Sequence, residues 1–290
     1  MGSPVIVWVL TCWVASMLGI VLPWEARSRQ DPLGREIAPI VSQDDGTKAT
    51  RRALEARLLS LMRDYGSEDD KGIIFASIAH VYGQPRGHPD AREDTAEDAA
   101  KYAKLALKQP LDDLNVCGMY SVWGRAVSGH WPELPSDRFV AVRRKATVLY
   151  LLGLKYALDH GAPAQPQPVP NVNRYHVRGA RDSPEVQAAR QQYAREVQGH
   201  DEAVRMNELA GYRDLFIRQC VTLYAQPPSD PDELSAFSDE ILLGHEEVAS
   251  GMVRKLQWWQ KNKDGWRGPF PSGTEIPPMT EPVGTEGQRP

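Results

Sequence analysis

The segment SEDDKGIIFASIAHVY, residues 67–82, determines how the chain folds. Its apolar residues Ile74, Ile78 and Tyr82 recur at four-residue steps. That spacing places them on one side of an α-helix, whereas a strand would need strict alternation of apolar and polar residues. The segment therefore predicts an amphipathic helix, and the rest of the chain can be compared with it.

The start of this helix carries a signal of its own. Ser67 stands just before the pattern, and Asp70 follows three residues later, a spacing in which the serine side chain caps a backbone N–H. Three- and four-residue spacing of apolar residues also continues outside the segment. It predicts further helices at about residues 48–65, 95–108, 111–128, 136–160, 233–243 and 246–261.

A long helical pattern begins after Ser183, with Pro184 at the first helical position. It fits one helix of about 60 Å, or two helices broken near Gly199 or Gly211. Its first half is mostly polar and is expected to project or to bridge, whereas its second half has a dense apolar stripe and is expected to pack. No segment alternates like a strand over more than a few residues. We therefore predict an all-α fold with a long C-terminal helix.

Changes in composition divide the chain into six parts. A Pro-rich stretch after residue 160 predicts extended backbone, acting as a hinge or as a strap over the helices. The Gly- and Pro-rich end of the chain predicts disorder. The predicted parts are an anchor or signal peptide at 1–26, a linker at 27–46, a helical domain at 47–160, a Pro-rich linker or strap at 161–184, a C-terminal helical region at 185–262 and a disordered tail at 263–290.

The uncharged apolar run at residues 4–23 predicts export or membrane attachment. About 20 apolar residues suffice to span a bilayer as a helix, and the run lacks the basic n-region of a typical signal peptide. Both an uncleaved anchor and a cleaved signal remain open, as does the topology. We expect an extracytoplasmic body, because long domains are translocated largely regardless of their charge.

Charge and cysteine content limit the function classes. The net charge is −4 with an isoelectric point of about 6.0, so the sequence predicts no bulk attraction to nucleic acid. Cys117 and Cys220 lie within apolar helical patterns. We expect buried free thiols there, and one disulfide is the alternative.

Small and aromatic residues recur in the helices around residues 68–110. They are Phe75, Ile78, Ala79 and Tyr82 on one helix and Ala99, Ala106 and Pro110 on and after the next. A looser second set runs from Trp123-Gly124 to Ala157-Leu158. Over about residues 68–160 the chain resembles the tetratricopeptide-repeat family. The resemblance implies stacked antiparallel helical hairpins with a concave groove for a peptide or protein partner. A generic bundle packed through alanines is the alternative.

The search for chemistry finds no catalytic, cofactor or metal motif. His245-Glu246-Glu247 resembles part of a zinc-protease helix, but no second histidine follows at the required spacing. Pairs of carboxylates near predicted helix starts are explained by the helix dipole. We therefore predict no catalytic residue, no cofactor and no metal ligand.

The predicted function is that of a non-enzymatic protein-interaction module, membrane-tethered or exported, with a protein or peptide partner. The candidate partner-binding residues are the apolar anchors Tyr82, Tyr120 and Trp123, the rim charges Arg143 and Lys145, and the aromatic pair Trp258 and Trp259. Two alternatives remain: an all-α enzyme with a dispersed site in which a histidine meets a carboxylate, or a structural protein that self-associates through residues 183–226. The oligomeric state is left open.

Overall fold

The computed structural model describes residues 32–84, 92–129, 136–161, 184–263 and Thr274. These residues form helices and no strand, which confirms the all-α prediction. A short 3₁₀ helix, Leu61–Arg63, follows the second α-helix. The α-helices are α1 (Pro32–Val41), α2 (Lys48–Ser60), α3 (Glu68–Gly83), α4 (Arg92–Ala106), α5 (Asp113–Ser128), α6 (Ser136–His160), α7 (Pro184–Ala225), α8 (Pro231–Ile241) and α9 (Glu246–Asn262).

Polar side chains define several helix starts. The Ser67 hydroxyl accepts the backbone N–H of Asp70 at 3.1 Å and donates to Asp70 Oδ2 at 2.6 Å, as the sequence spacing predicts. Asp112 and Asp230 cap α5 and α8 in the same way. Each cap satisfies a backbone donor that a helix start otherwise leaves unpaired.

Two apolar clusters form the core. The N-terminal cluster contains buried side chains between Leu33 and Val122, from α1 to α5. The C-terminal cluster contains buried side chains between Leu114 and Leu256, from α5 to α9. Helix α5 belongs to both, so it separates the two clusters and its remaining face lies between them.

Consecutive helices pack on one another, and the start of α5 lies beside the end of α6. Tyr156, near the end of α6, donates a hydrogen bond to Asp113 at the start of α5, at 2.8 Å. Arg213 on α7 donates to the carbonyl of Ala157 near the end of α6, at 2.9 and 3.0 Å. These contacts fix the order in which α5, α6 and α7 are stacked.

The predicted linker at residues 27–46 is wrong for its described part, because residues 32–41 form α1. Leu33 and Ile37 on this helix are fully buried in the N-terminal cluster. Pro32 occupies the first helical position, which a proline tolerates. Pro39 lies inside the helix, where proline is unfavourable. Its presence makes this helix hard to recognise from the spacing of the apolar residues in the sequence.

Of the two predicted alternatives for the long helical pattern, the structure has the single helix: α7 is continuous through Gly199 and Gly211. The helices on both sides of residues 162–183 share the C-terminal cluster, so that segment does not separate two cores. Within the predicted tail, Thr274 packs on α9, where an added Cβ at Gly251 would lie 2.7 Å from the Thr274 Cβ.

Three predictions fall on residues outside the described part: the N-terminal segment, the Pro-rich segment at 162–183, and most of the tail. Across the described helices, none has the length and apolar character needed to span a bilayer.

Candidate functional site

The seven predicted partner-binding residues do not converge on one surface. Tyr82 is 2% exposed in the N-terminal cluster, where its hydroxyl donates to Glu55, so it is a packing residue and not a groove anchor. Tyr120 and Trp123 on α5 are half-buried, Tyr120 against the C-terminal cluster and Trp123 against the N-terminal cluster. The predicted set of apolar anchors is therefore divided between two cores.

The two predicted rim charges have different environments. Arg143 is 2% exposed and pairs with Glu233 at 2.8 Å, so the expectation of an open rim cation is wrong for it. Lys145, two residues later, is exposed. Because positions two apart lie on different sides of a helix, one of these cations faces the core and the other faces solvent.

The aromatic pair on α9 is half-buried. The ring centroids of Trp258 and Trp259 lie 6.4 Å apart, and their planes are tilted by 40°. Neither ring is among the large apolar side chains that are exposed in the described part of the chain. The pair therefore lies at the edge of the packing on α9.

A polar stripe on α5 lies between the two apolar clusters. Its members are Gly118, Ser121, Arg125 and Ser128, spaced by three and four residues along one helix face. Ser121 and Ser128 are both buried. The neighbouring Gly124 lets the Tyr150 ring of α6 pack against the helix, since an added Cβ there would lie 2.3 Å from the ring.

Side chains of two other helices meet this stripe at Gly118. An added Cβ at Gly118 would lie 3.2 Å from the Tyr212 hydroxyl of α7 and 3.5 Å from Nε2 of His80 of α3. Both polar atoms are buried without a hydrogen-bond partner, and so is the hydroxyl of Ser121. We call His80, Ser121, Arg125, Tyr150 and Tyr212 the polar cluster.

Electrostatics sets the charge state of this cluster. Burial lowers the pKa of His80 to about 3, with a contribution from the nearby Arg125 cation, so this imidazole is neutral at pH 7. Burial also lowers the pKa of Arg125, which the tyrosines 150 and 212 partly offset. Burial raises the pKa of Tyr150 to about 12 and that of Tyr212 further. The cluster therefore carries a single positive charge, on Arg125.

The cluster lacks the features of an acid–base centre. No carboxylate is among the groups that shift the pKa of His80. A histidine does meet a carboxylate elsewhere: Nε2 of His245, between α8 and α9, lies 2.6 Å from Oδ1 of Asp159 near the end of α6, and both side chains are partly exposed. In the described ranges, no group of three or more His, Cys, Asp or Glu side chains could hold a metal ion.

Cys117 and Cys220 are free and buried, as expected from their apolar surroundings. Both belong to the C-terminal cluster, and burial raises the pKa of both thiols. A thiol in such surroundings stays protonated and is a poor nucleophile.

The first half of α7 is a second candidate site. The first residue of this helix in either core cluster is Leu209, and the half-buried Met206 packs against the C-terminal cluster, so residues 184–202 extend past the core as an arm. One face of the arm and the turn after it line a groove of about 640 Å³. The lining residues are Tyr193, Ala194, Val197, Gln198, Asp201, Glu202 and Arg205.

The polar cluster was not identified from the sequence, although part of its pattern is present there. The spacing of Gly118, Ser121, Arg125 and Ser128 can be seen in the printed sequence. Its meaning depends on His80 and Tyr212, which lie 38 residues before and 94 residues after Gly118 along the chain. Only the packing of α3 and α7 on α5 brings these groups together.

Comparison with known proteins finds no family model, no curated protein and no solved structure that matches this chain.

Proposed function

We propose that this protein is a non-enzymatic interaction module, exported or held at a membrane by its N-terminal segment, whose α7 arm binds a peptide segment of a partner protein. The observation that carries the proposal is the arm itself: residues 184–202 contribute to neither core cluster. Most helices in proteins are stabilised by packing of an apolar face. The arm lies outside the core clusters, and a bound partner would supply such packing.

The groove on the arm suggests the chemistry of the partner. Val197 and the Tyr193 ring give it an apolar floor, and Asp201 and Glu202 add carboxylates at one end. Arg205, the arginine among the described lining residues, is held by Glu202 and by Asp113 of α5. The exposed carboxylate of Asp201 forms no ion pair within the described part of the chain. A peptide with an aliphatic side chain next to a Lys or Arg is the complementary occupant.

The helix stacking supports the proposed class of protein. Helix α3 packs on α4 and α5 on α6, the two pairs that resemble tetratricopeptide units in sequence. Such units act as binding scaffolds whose surface is shaped by the stack. The arm then extends the surface that the stack supports.

Peptide display against the full-length chain in detergent tests the proposal. We expect enrichment of peptides that combine aliphatic and basic residues, and at least a tenfold loss of affinity in Val197→Asp. The matched control is Gln191→Asp, an exposed position of the same arm that does not line the groove. Neither change should shift the unfolding temperature, because the arm lies outside the core. No enrichment, or equal binding by Val197→Asp, would refute the proposal.

Sedimentation of the same protein distinguishes the self-association alternative. If a second copy occupies the groove, the sedimentation coefficient rises with concentration and Val197→Asp abolishes the rise. That result would replace the peptide partner with another copy of the chain.

A further inference from the structure

We propose that the polar cluster on α5 is a binding site for the carboxylate group of a small molecule, with Arg125 as the cationic contact. This site is separate from the arm, and the inference does not depend on the proposed function. It rests on three features of the cluster: an arginine without a counter-charge among the described residues, three buried polar atoms without partners, and the partial exposure of the arginine.

The first feature is the charge of Arg125. Among the described residues, its guanidinium makes one hydrogen bond, from Nε to the carbonyl oxygen of Ser121 at 3.4 Å, and no ion pair. Two fully buried arginines in the described part of the chain have a carboxylate partner: Arg51 pairs with Asp44 and Arg143 pairs with Glu233. A buried cation without a counter-charge costs several kcal/mol. Arg125 therefore stands out as the cation that needs an anion.

The second feature is the set of unpartnered atoms. The His80 Nε2, Ser121 Oγ and Tyr212 hydroxyl are all buried and have no hydrogen-bond partner. The three side chains are between 0 and 3% exposed. Buried polar groups are nearly always paired, so three such atoms around one arginine call for a ligand that can pair with them. Two of them are hydroxyls that can rotate to donate to an acceptor.

The third feature is access. Arg125 is in the last turn of α5 and is partly exposed, whereas the other members of the cluster are buried. The proposal therefore places the entry of a small anion at Arg125. Close packing beside the cluster, with the Tyr150 ring against Gly124 and the Tyr212 hydroxyl near Gly118, favours a small ligand over a large one.

The charge balance selects the class of ligand. The cluster has one positive charge and a neutral imidazole, so a monoanion brings it to neutrality. A carboxylate is a monoanion at pH 7, and its two oxygens match the planar fork of a guanidinium. A phosphate dianion would leave one excess negative charge in a poorly hydrated site. Water could pair with the hydroxyls, but it would not neutralise Arg125.

Thermal unfolding of the full-length chain in detergent provides the test, with sodium acetate as the probe and sodium fluoride holding the ionic strength constant. A ligand that binds only the folded state raises the unfolding temperature in a saturable way. We expect that rise in the wild-type protein and in the control Arg218→Met, which removes an exposed arginine of α7. We expect no rise in Arg125→Met.

Conservative variants keep the test decisive if Arg125→Met does not fold. Tyr212→Phe and Ser121→Ala each remove one hydroxyl, and each should weaken the apparent acetate affinity about fivefold, as the loss of one hydrogen bond does. Chloride and phosphate titrations are the comparison arms. The proposal is overturned if acetate produces no saturable rise, if Arg125→Met keeps the rise, or if chloride or phosphate raises the unfolding temperature as much as acetate.

Discussion

The guanidinium of Arg143 on α6 pairs with the carboxylate of Glu233 on α8, with Nη2 and Oε2 2.8 Å apart. Arg143 also donates to the carbonyl of Pro228 and lies over the ring of Tyr224, 4.3 Å from its centroid. Burial raises the pKa of Glu233, but hydrogen bonds from Arg144 and Arg143 outweigh that effect and hold it below its usual value. This pair ties the short helix α8 to the core.

Glu233→Gln should destabilise the protein by roughly 3 kcal/mol, because removing one partner leaves a buried cation uncompensated. Chemical denaturation measures the change. The matched control is Arg144→Gln, which removes the other cation on the same carboxylate. Its side chain is 57% exposed, so its loss should cost less than about 1 kcal/mol. If the two substitutions lowered the free energy of unfolding equally, burial would not be what makes the Arg143–Glu233 pair important for stability.

Gly124→Ala tests the close approach of α5 and α6. The new methyl would lie 2.3 Å from the Tyr150 ring, so the ring or the helix must move. We expect a loss of about 1–3 kcal/mol in the free energy of unfolding, despite the better helix propensity of alanine. At Gly66 the nearest atom to an added Cβ is 3.8 Å away, and Gly66→Ala should be close to neutral. A stable Gly124→Ala protein would show that this contact is loose.

Ile37→Ala tests whether α1 is part of the fold. Ile37 is fully buried in the N-terminal cluster, and truncation of such a side chain costs roughly 2–5 kcal/mol. Glu36→Ala, at the exposed neighbouring position, should change stability by no more than about 0.5 kcal/mol. Denaturant midpoints of the two variants give the comparison. If residues 27–46 were a linker, both substitutions would be silent.

The sequence predicted the helices well where apolar spacing was uninterrupted. Ser67 marks the start of α3 and Pro184 the start of α7, and both signals are local. Such caps and stripes act within one or two helical turns, so they can be recognised in sequence alone. The prediction failed at α1, where Pro39 interrupts an otherwise amphipathic stripe.

The sites were much less predictable than the helices. Arg143 lies in a run of three cations that is typical of a solvated face, and its partner Glu233 is 90 residues away. The stripe that contains Ser121 and Arg125 is equally ambiguous until α3 and α7 pack on α5. Whether a polar residue is buried depends on contacts between distant segments, and the local spacing of residues does not indicate those contacts.

Acid should destabilise this protein through His80. In the folded state the pKa of His80 is lowered from 6.5 to about 3, because the ring is buried beside Arg125. The unfolded chain therefore binds a proton that the folded chain does not, and stability falls as the pH decreases from 6.5 towards 3. Between pH 6.5 and 4.5 the loss from this one group is roughly 2–3 kcal/mol.

His80→Gln should remove that part of the pH dependence. The matched control is His160→Gln, at an exposed histidine of α6. Carboxylates with lowered pKa values, such as Glu233 and Asp159, lose their contribution mainly at lower pH, so this window isolates the histidine. Urea unfolding at each pH gives the free energies, and an unchanged slope in His80→Gln would mean that the imidazole is protonated in the folded protein.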